Sequence, residues 1–303
     1  MAEDRTREFA PSRRLMLSGV AGAALVALSA CGREEKTAEP PPTSNGPPKG
    51  SLQWAVEGPW RSAEDRARDA DRHPMETLRF FGLQPRMTVV DFWPGSGWYT
   101  EILAPYLAEG RGRYVAAGFQ TGEGADSAQA ALMKAFADRF TQDRKLYGQI
   151  ELSAFGPATG PVTEPGAADM VLFMRNIHAW MAAGIAEKAF ADAYAALRPG
   201  GVLGVEQHRL GPEEDQDPAA ANGYVQEAFV RQLAEEAGFQ FVAASEVNAN
   251  PEDTKDHPFG VDTLPPMRLT APRGEAANPA FDRTRYDAIG ESDRMTLRFR
   301  KPE

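Results

Sequence analysis

Apolar residues in this chain gather into short runs divided by glycine and proline, and the runs follow two different periods. Residues 87–92 are apolar and rich in β-branched side chains, the pattern of a buried strand. Pro94, Gly95, Ser96 and Gly97 break that run. From Trp98 the spacing becomes helical, with Ile102, Leu103, Tyr106 and Leu107 on one side. The same alternation continues down the chain. Residues 113–119, 150–155, 169–173, 202–206 and 239–245 read as strands, and residues 125–140, 185–197 and 225–237 as helices. Residues 61–81 read as a helix interrupted at Arg72-His73-Pro74, because proline disfavours helix at the residue before it. That helix could lie over a cleft with Arg72 and His73 reaching a ligand, but a charged, solvated face is the favoured expectation. Residues 294–300 alternate strictly and predict a last, half-exposed strand. The proline-containing stretch 250–290 is expected to be a long loop, either a lid over a cleft or a partner surface.

Strands alternating with helices predict an α/β fold, a mostly parallel sheet with helices on both faces. The alternating last strand is expected to be antiparallel, at or near an edge. Ligands of such sheets bind outside the carboxyl ends of the strands. The glycine loop stands at such an end and opens a helix. Its glycines let the backbone approach a ligand, and the helix N-terminus offers free N–H groups. Asp91 ends the first strand, His178 follows the fourth, and Glu206 and His208 end the fifth. Either histidine is a candidate general base, with Glu206 orienting His208 or touching substrate. Trp93, Trp98, Tyr99 and Trp180 lie near the same edge. They either stack on a ligand or cage a cation, or they belong to the core.

The 303 residues are 42% hydrophobic and 25% charged, ordinary for a globular protein. A net charge of −10 argues against a nucleic-acid partner. One cysteine, Cys31, allows neither an internal disulfide nor a cysteine metal cluster. The four histidines have no metal-ligand spacing, so no metal is expected.

The first residues read as an address. Arg5, Arg7, Arg13 and Arg14 precede an apolar stretch, residues 15–30, too short for a comfortable membrane span. Leu28-Ser29-Ala30-Cys31 resembles the lipobox of bacterial lipoproteins, in which cleavage precedes a cysteine that then carries lipid. The resemblance implies a signal peptide over 1–30, lipidation of Cys31, a proline-rich tether over 31–50 and a domain over 51–303. It places that domain on the periplasmic side of a bacterial membrane. Gly32, rather than Asp, points to the outer membrane by analogy with enteric lipoproteins. Ser12-Arg13-Arg14-Leu15-Met16-Leu17 resembles a twin-arginine export signal, with Met16 where Phe is usual; an ordinary charged leader has adjacent arginines too.

From the glycine loop onward the chain resembles class I S-adenosylmethionine-dependent methyltransferases. More narrowly, it resembles a family of exported bacterial proteins described as predicted methyltransferases. The resemblance rests on Arg72-His73-Pro74, on Pro94 to Glu101, and on Asn176 with His178 and Trp180. Leu197-Arg198-Pro199-Gly200-Gly201, the turn Ala237-Gly238-Phe239, and Ser292-Asp293-Arg294 also carry it. It implies a Rossmann-like seven-stranded sheet and S-adenosylmethionine as cofactor. The methionine end would lie near Asp91, Gly95 and Gly97, with Trp93, Trp98, Tyr99 and Asn176 also in the cofactor site. The adenosine would run across the ends of the second and third strands. The implied activity is methylation of a small molecule or an envelope component. Two departures leave a second possibility, a non-catalytic, lipid-anchored binding domain on the same fold. Trp93 replaces the first glycine of the usual loop, and the second strand ends Gly118-Phe119 without the usual carboxylate.

Overall fold

The computed structural model describes residues 46–122 and 126–303. Residues 1–45, with Cys31, the expected signal peptide and most of the expected tether, lie outside the described residues, as do 123–125. The strands among the described residues are β1 (Thr88–Phe92), β2 (Arg113–Phe119), β3 (Ile150–Phe155), β4 (Ala168–Met174), β5 (Leu197–His208), β6 (Gln240–Ser245), β7 (Pro258–Val261) and β8 (Arg294–Arg300). All but β7 form a seven-stranded sheet of order β3-β2-β1-β4-β5-β8-β6. β1 to β5 pair in parallel, and β8 runs antiparallel between β5 and β6. The fold is therefore the expected α/β, Rossmann-like one. From β1 the chain builds outward to β2 and β3, and then returns to β4 on the other side of β1. That reversal opens a crevice at the carboxyl ends of β1 and β4.

Alternation within the central strands supplies two cores. Val90, Phe92, Val171, Phe173, Leu203 and Val205 pack with Trp180, Phe190, Val230 and Leu233 of the helices Ile177–Ala182, Ala186–Ala196 and Glu227–Glu236. Val89, Tyr114, Ala116, Met170 and Leu172 meet Leu78, Phe81, Ile102, Leu103, Phe136 and Phe140 of the helices Pro74–Phe81, Thr100–Gly110 and Ser127–Phe140. A strand covered on both faces needs apolar residues at every position, which explains the unbroken runs.

Five expectations are corrected. The stretch 61–81 is three helices, Ala63–Ala67, Asp69–Arg72 and Pro74–Phe81. His73 between the last two is left-handed (φ 41°), and Pro74 starts a new helix at its first position, where no N–H is needed. Arg72 is not solvated but 1% exposed, paired with Glu291. The helix over 185–197 ends at Ala196, and β5 begins at Leu197, because Leu197 pairs with Ala168 and Gly200 N–H donates to Lys301 O. β8 is buried along most of its length rather than half-exposed. Its polar positions find partners: Thr296 Oγ1 accepts from Asn248 Nδ2 (3.0 Å), and Arg298 Nη1 donates to Phe80 O (2.8 Å). The stretch 250–290 carries β7 and the helix Thr284–Ile289, and part of it borders the crevice.

Candidate functional site

A cleft of about 290 Å³ opens over the carboxyl ends of β1, β4 and β5. That is close to the lower limit of roughly 300 Å³ for small-molecule pockets. Trp93, Gly95, Ser96 and Trp98 line one wall; Arg175, Asn176, His178 and His208 line the sheet end. Arg68, Arg72, Glu291 and Ser292 contribute from beside it, and Asp262, Pro265, Met267 and Arg273 come from the 250–290 stretch.

The loop leaves β1 through left-handed backbone at Trp93 (φ 47°), Gly95 (φ 62°) and Gly97 (φ 91°). Among the described residues nothing stands within 4 Å of where a Cβ on Gly95 would be, so a ligand can approach the backbone there. Gly97 differs: a Cβ would lie 2.2 Å from the Phe140 ring, so its lack of a side chain serves packing. Asn176 Nδ2 donates to Phe92 O (2.8 Å) and Trp93 O (3.1 Å) and ties the end of β4 to the loop.

Trp93 is half-buried. Its Nε1–H donates to Phe155 O at 2.9 Å, and its ring lies 4.4 Å from that of Phe119. The indole therefore bridges the ends of β2 and β3, along the path expected for an adenosine. Its remaining surface lines the cleft. Trp180 is fully buried among Phe92, Phe155 and Phe173 and belongs to the core. Trp98 is also buried. Arg61 and Arg72 lie 5.0 and 4.8 Å from its ring centroid, so it serves as a platform for guanidinium groups.

Asp91, Tyr99, Glu206 and Gly97 do not line the cleft. Asp91 Oδ2 accepts from Tyr114 OH (2.8 Å), while its buried Oδ1 has no hydrogen-bond partner among the described residues. Burial pushes this carboxyl up to about 7, against the pull of Tyr114 and Arg175. Tyr99 OH donates to Glu206 Oε2 (2.9 Å), and Arg294 Nε lies 3.0 Å from Glu206 Oε1. Glu206 therefore does not orient His208, which corrects that expectation. The partner of His208 is Ser292, with Nδ1 and Oγ 2.6 Å apart.

The two histidines stand together, ring centroids 5.3 Å apart. Gln207 Oε1 accepts from Ile177 N–H (3.1 Å), which fixes the amide so that Nε2 donates to His178 Nδ1 (3.2 Å). Neutral His178 therefore carries its proton on Nε2. Burial lowers its pKa, so it remains neutral at pH 7 and acts as a donor. His208 is held well below the ordinary value by burial, then by His178 and Arg175.

Arg68, Arg175, Arg273 and Glu291 line the cleft without having been singled out in the sequence. Arg175 directly follows β4, next to Asn176, and its place at a strand's carboxyl end was the available signal. Glu291 offered little, since apart from Arg294 three positions on, its partners Arg68, Arg72 and Arg175 come from far along the chain.

No protein-family model matches the chain, and no curated protein matches it in sequence. Solved structures do resemble it. A provisionally named sarcosine dimethylglycine methyltransferase from Galdieria sulphuraria superposes with a TM-score of 0.52 at 15% identity, covering 80% of this chain and 88% of that one. The [4+2]-cyclase SpnF superposes with a TM-score of 0.50 at 16% identity, covering 77% and 81%. A SAM-dependent methyltransferase from Aquifex aeolicus gives 0.47 at 19% identity, covering 60% and 87%. At such identities the likeness to the first two establishes the fold alone.

Proposed function

We propose that the protein is a methyltransferase that uses S-adenosylmethionine and acts on a small molecule or an envelope component. One observation carries this reading: a glycine loop with open backbone at Gly95 leaves β1 at the point where the strand order reverses, directly beside the cleft. The Galdieria structure bears a methyltransferase name on the same fold. The residues present fit the cofactor in a changed manner. The backbone around Gly95 would take the amino-acid end. The exposed side of Trp93 would stack on adenine in place of the missing ribose-binding carboxylate. When bound, the cofactor supplies a methyl group on a positively charged sulfur. The chain's own residues position and discharge the acceptor. His178 presents its Nε2–H as a donor, and Asn176 keeps the loop in place. His208 accepts a proton at Nε2 when its Nδ1–H is given to Ser292. Holding the reactants in line supplies most of the rate in such transfers.

The test is calorimetric titration of the full-length chain with S-adenosylhomocysteine. Micromolar binding that Gly95→Arg abolishes supports the reading, and no binding at millimolar ligand overturns it. A second reading, a non-catalytic binding domain, draws on the Trp93 indole and Phe119 covering the ends of β2 and β3. SpnF, a cyclase by name, shares the fold, so the architecture does not impose one chemistry.

The proposal extends to location. A lipoprotein signal peptide over 1–30, of the twin-arginine or the ordinary kind, and a lipid on Cys31 would anchor the domain to the periplasmic side of a bacterial membrane, the outer one favoured by Gly32. Cys31→Ser should then release the protein from membranes, and unchanged fractionation would remove this part of the proposal.

A further inference from the structure

We propose that the arginine cluster beside the cleft is an oxyanion subsite that holds a carboxylate or phosphate group of the methyl acceptor. This rests on the methyltransferase reading above for the word acceptor, and on geometry for the subsite.

Arg72 lines the cleft although it is 1% exposed. Its Nε donates to both oxygens of Glu291 at 2.8 Å, while its buried Nη1 has no hydrogen-bond partner among the described residues. The group rests over the Trp98 ring, but a guanidinium N–H removed from water without an oxygen partner is costly, and a ligand oxygen that reached it would satisfy it. Arg175 stands beside it on left-handed backbone (φ 64°), 3.5 Å from Glu291 and 4.0 Å from Glu206.

Charge balance points the same way. Arg72, Arg175 and Arg294 share two carboxylates, Glu291 and Glu206. Arg68 reaches Glu291 at 3.3 Å but is matched by Asp65 at 3.5 Å. Arg273 is matched by Asp262 at 2.6 Å. Among the described residues one positive charge therefore has no carboxylate of its own within ion-pair distance, the buried Asp91 that Arg175 attracts being pushed up to about 7. Burial would raise the Glu291 carboxyl, yet Arg72, Arg175 and Arg294 hold it down to about 2, so it offers no proton to relieve the imbalance. Burial, and then Arg175, draw Arg72 down to about 9, which leaves it charged at neutral pH.

Guanidinium N–H groups match the oxygens of a carboxylate or phosphate, and the neutral donor His178 Nε2–H faces the same cleft. A sulfonium bound at the glycine loop would meet this surplus positive charge as a like charge. An anionic acceptor between them relieves both. A cationic or purely apolar acceptor relieves neither.

The probe is inorganic phosphate, titrated into the full-length chain by calorimetry with and without S-adenosylhomocysteine. Saturable binding at one site is expected, weakened about tenfold or more in Arg72→Gln and in Arg175→Gln, the range for losing a charged hydrogen bond. Arg113→Gln, at an exposed pair with Glu151, should leave it unchanged. Arg175 is partly exposed, so its variant remains informative if Arg72→Gln fails to fold. Saturating S-adenosylhomocysteine should leave phosphate binding intact. Absent phosphate binding, or binding retained in both variants, overturns the subsite. Competitive displacement by S-adenosylhomocysteine overturns the acceptor assignment, because the cluster then holds the cofactor's own carboxylate. Phosphate binding without any S-adenosylhomocysteine binding overturns the methyltransferase reading and the acceptor assignment, and leaves an anion site.

Discussion

Two glycines in one loop do different work, and alanine at each separates the two. At Gly97 an added Cβ would lie 2.2 Å from Phe140 Cε2, 2.5 Å from Cζ and 3.3 Å from Phe136 Cε2. Ordinary carbon contacts sit near 3.5–4.0 Å, so the Phe140 ring must retreat by about 1 Å or more. It has little room to do so. The ring is fully buried, with its centroid 4.8 Å from that of Phe136 and 5.1 Å from that of Tyr147. Overpacking of this kind costs about 1–3 kcal/mol. The left-handed backbone at φ 91° adds about 1–2 kcal/mol for a residue with a Cβ. Gly97→Ala should therefore lose roughly 2–5 kcal/mol, a fall in melting temperature on the order of 5–15 °C for a domain of this size. Gly95→Ala meets open space and bears only the backbone cost, about 1–2 kcal/mol. Its methyl group occupies the approach to the loop, so its larger effect should be on S-adenosylhomocysteine affinity. Urea denaturation gives the first quantity, and calorimetry near the loop variant's own stable range gives the second. Equal stability losses at the two positions would refute the division between a packing glycine and a ligand glycine.

Three further outcomes follow from the geometry. Asp91, raised to about 7 by burial, keeps a proton in the fold that the unfolded chain releases near pH 4, so the folded state binds more protons between those values and stability falls as pH rises through that window. Asp91→Asn should remove that term: its stability relative to wild type should rise between about pH 4.5 and 8, and parallel urea midpoints would contradict the assignment. The nitrogen chemical shifts of His178 should report the Nε2–H tautomer at pH 7, and an Nδ1–H signal would show that Gln207 does not set it. Trp93→Phe should retain S-adenosylhomocysteine and Trp93→Ala should weaken it if the ring is a stacking platform; tighter binding in Trp93→Ala would instead mark the indole as an obstruction.

The fold was legible where burial is symmetric. β1, β2 and β4 are covered on both faces, so their residues are apolar at nearly every position and the strands stand out as runs. β8 misled because a period of two reports which way a side chain faces, not what covers that face. Arg294, Thr296 and Arg298 alternate as solvent-facing residues do, yet they are withdrawn into contacts with Asp71 O, Asn248 and Phe80 O. The site divides along the same line. Trp93, Gly95, Asn176, His178 and His208 were accessible to sequence reasoning because each sits at the carboxyl end of a recognisable strand, and strand ends have a fixed relation to the crevice. The arginine cluster has no such local mark. Arg72 reads as part of a charged helical face until Glu291, 219 positions later, is brought against it. A buried ion pair of that kind is set by topology, because two side chains of opposite charge become partners only after the sheet has determined which ends of the chain meet. The same holds for its imbalance: three guanidinium groups about two carboxylates is a property of the assembled crevice, and only there does it call for an anion.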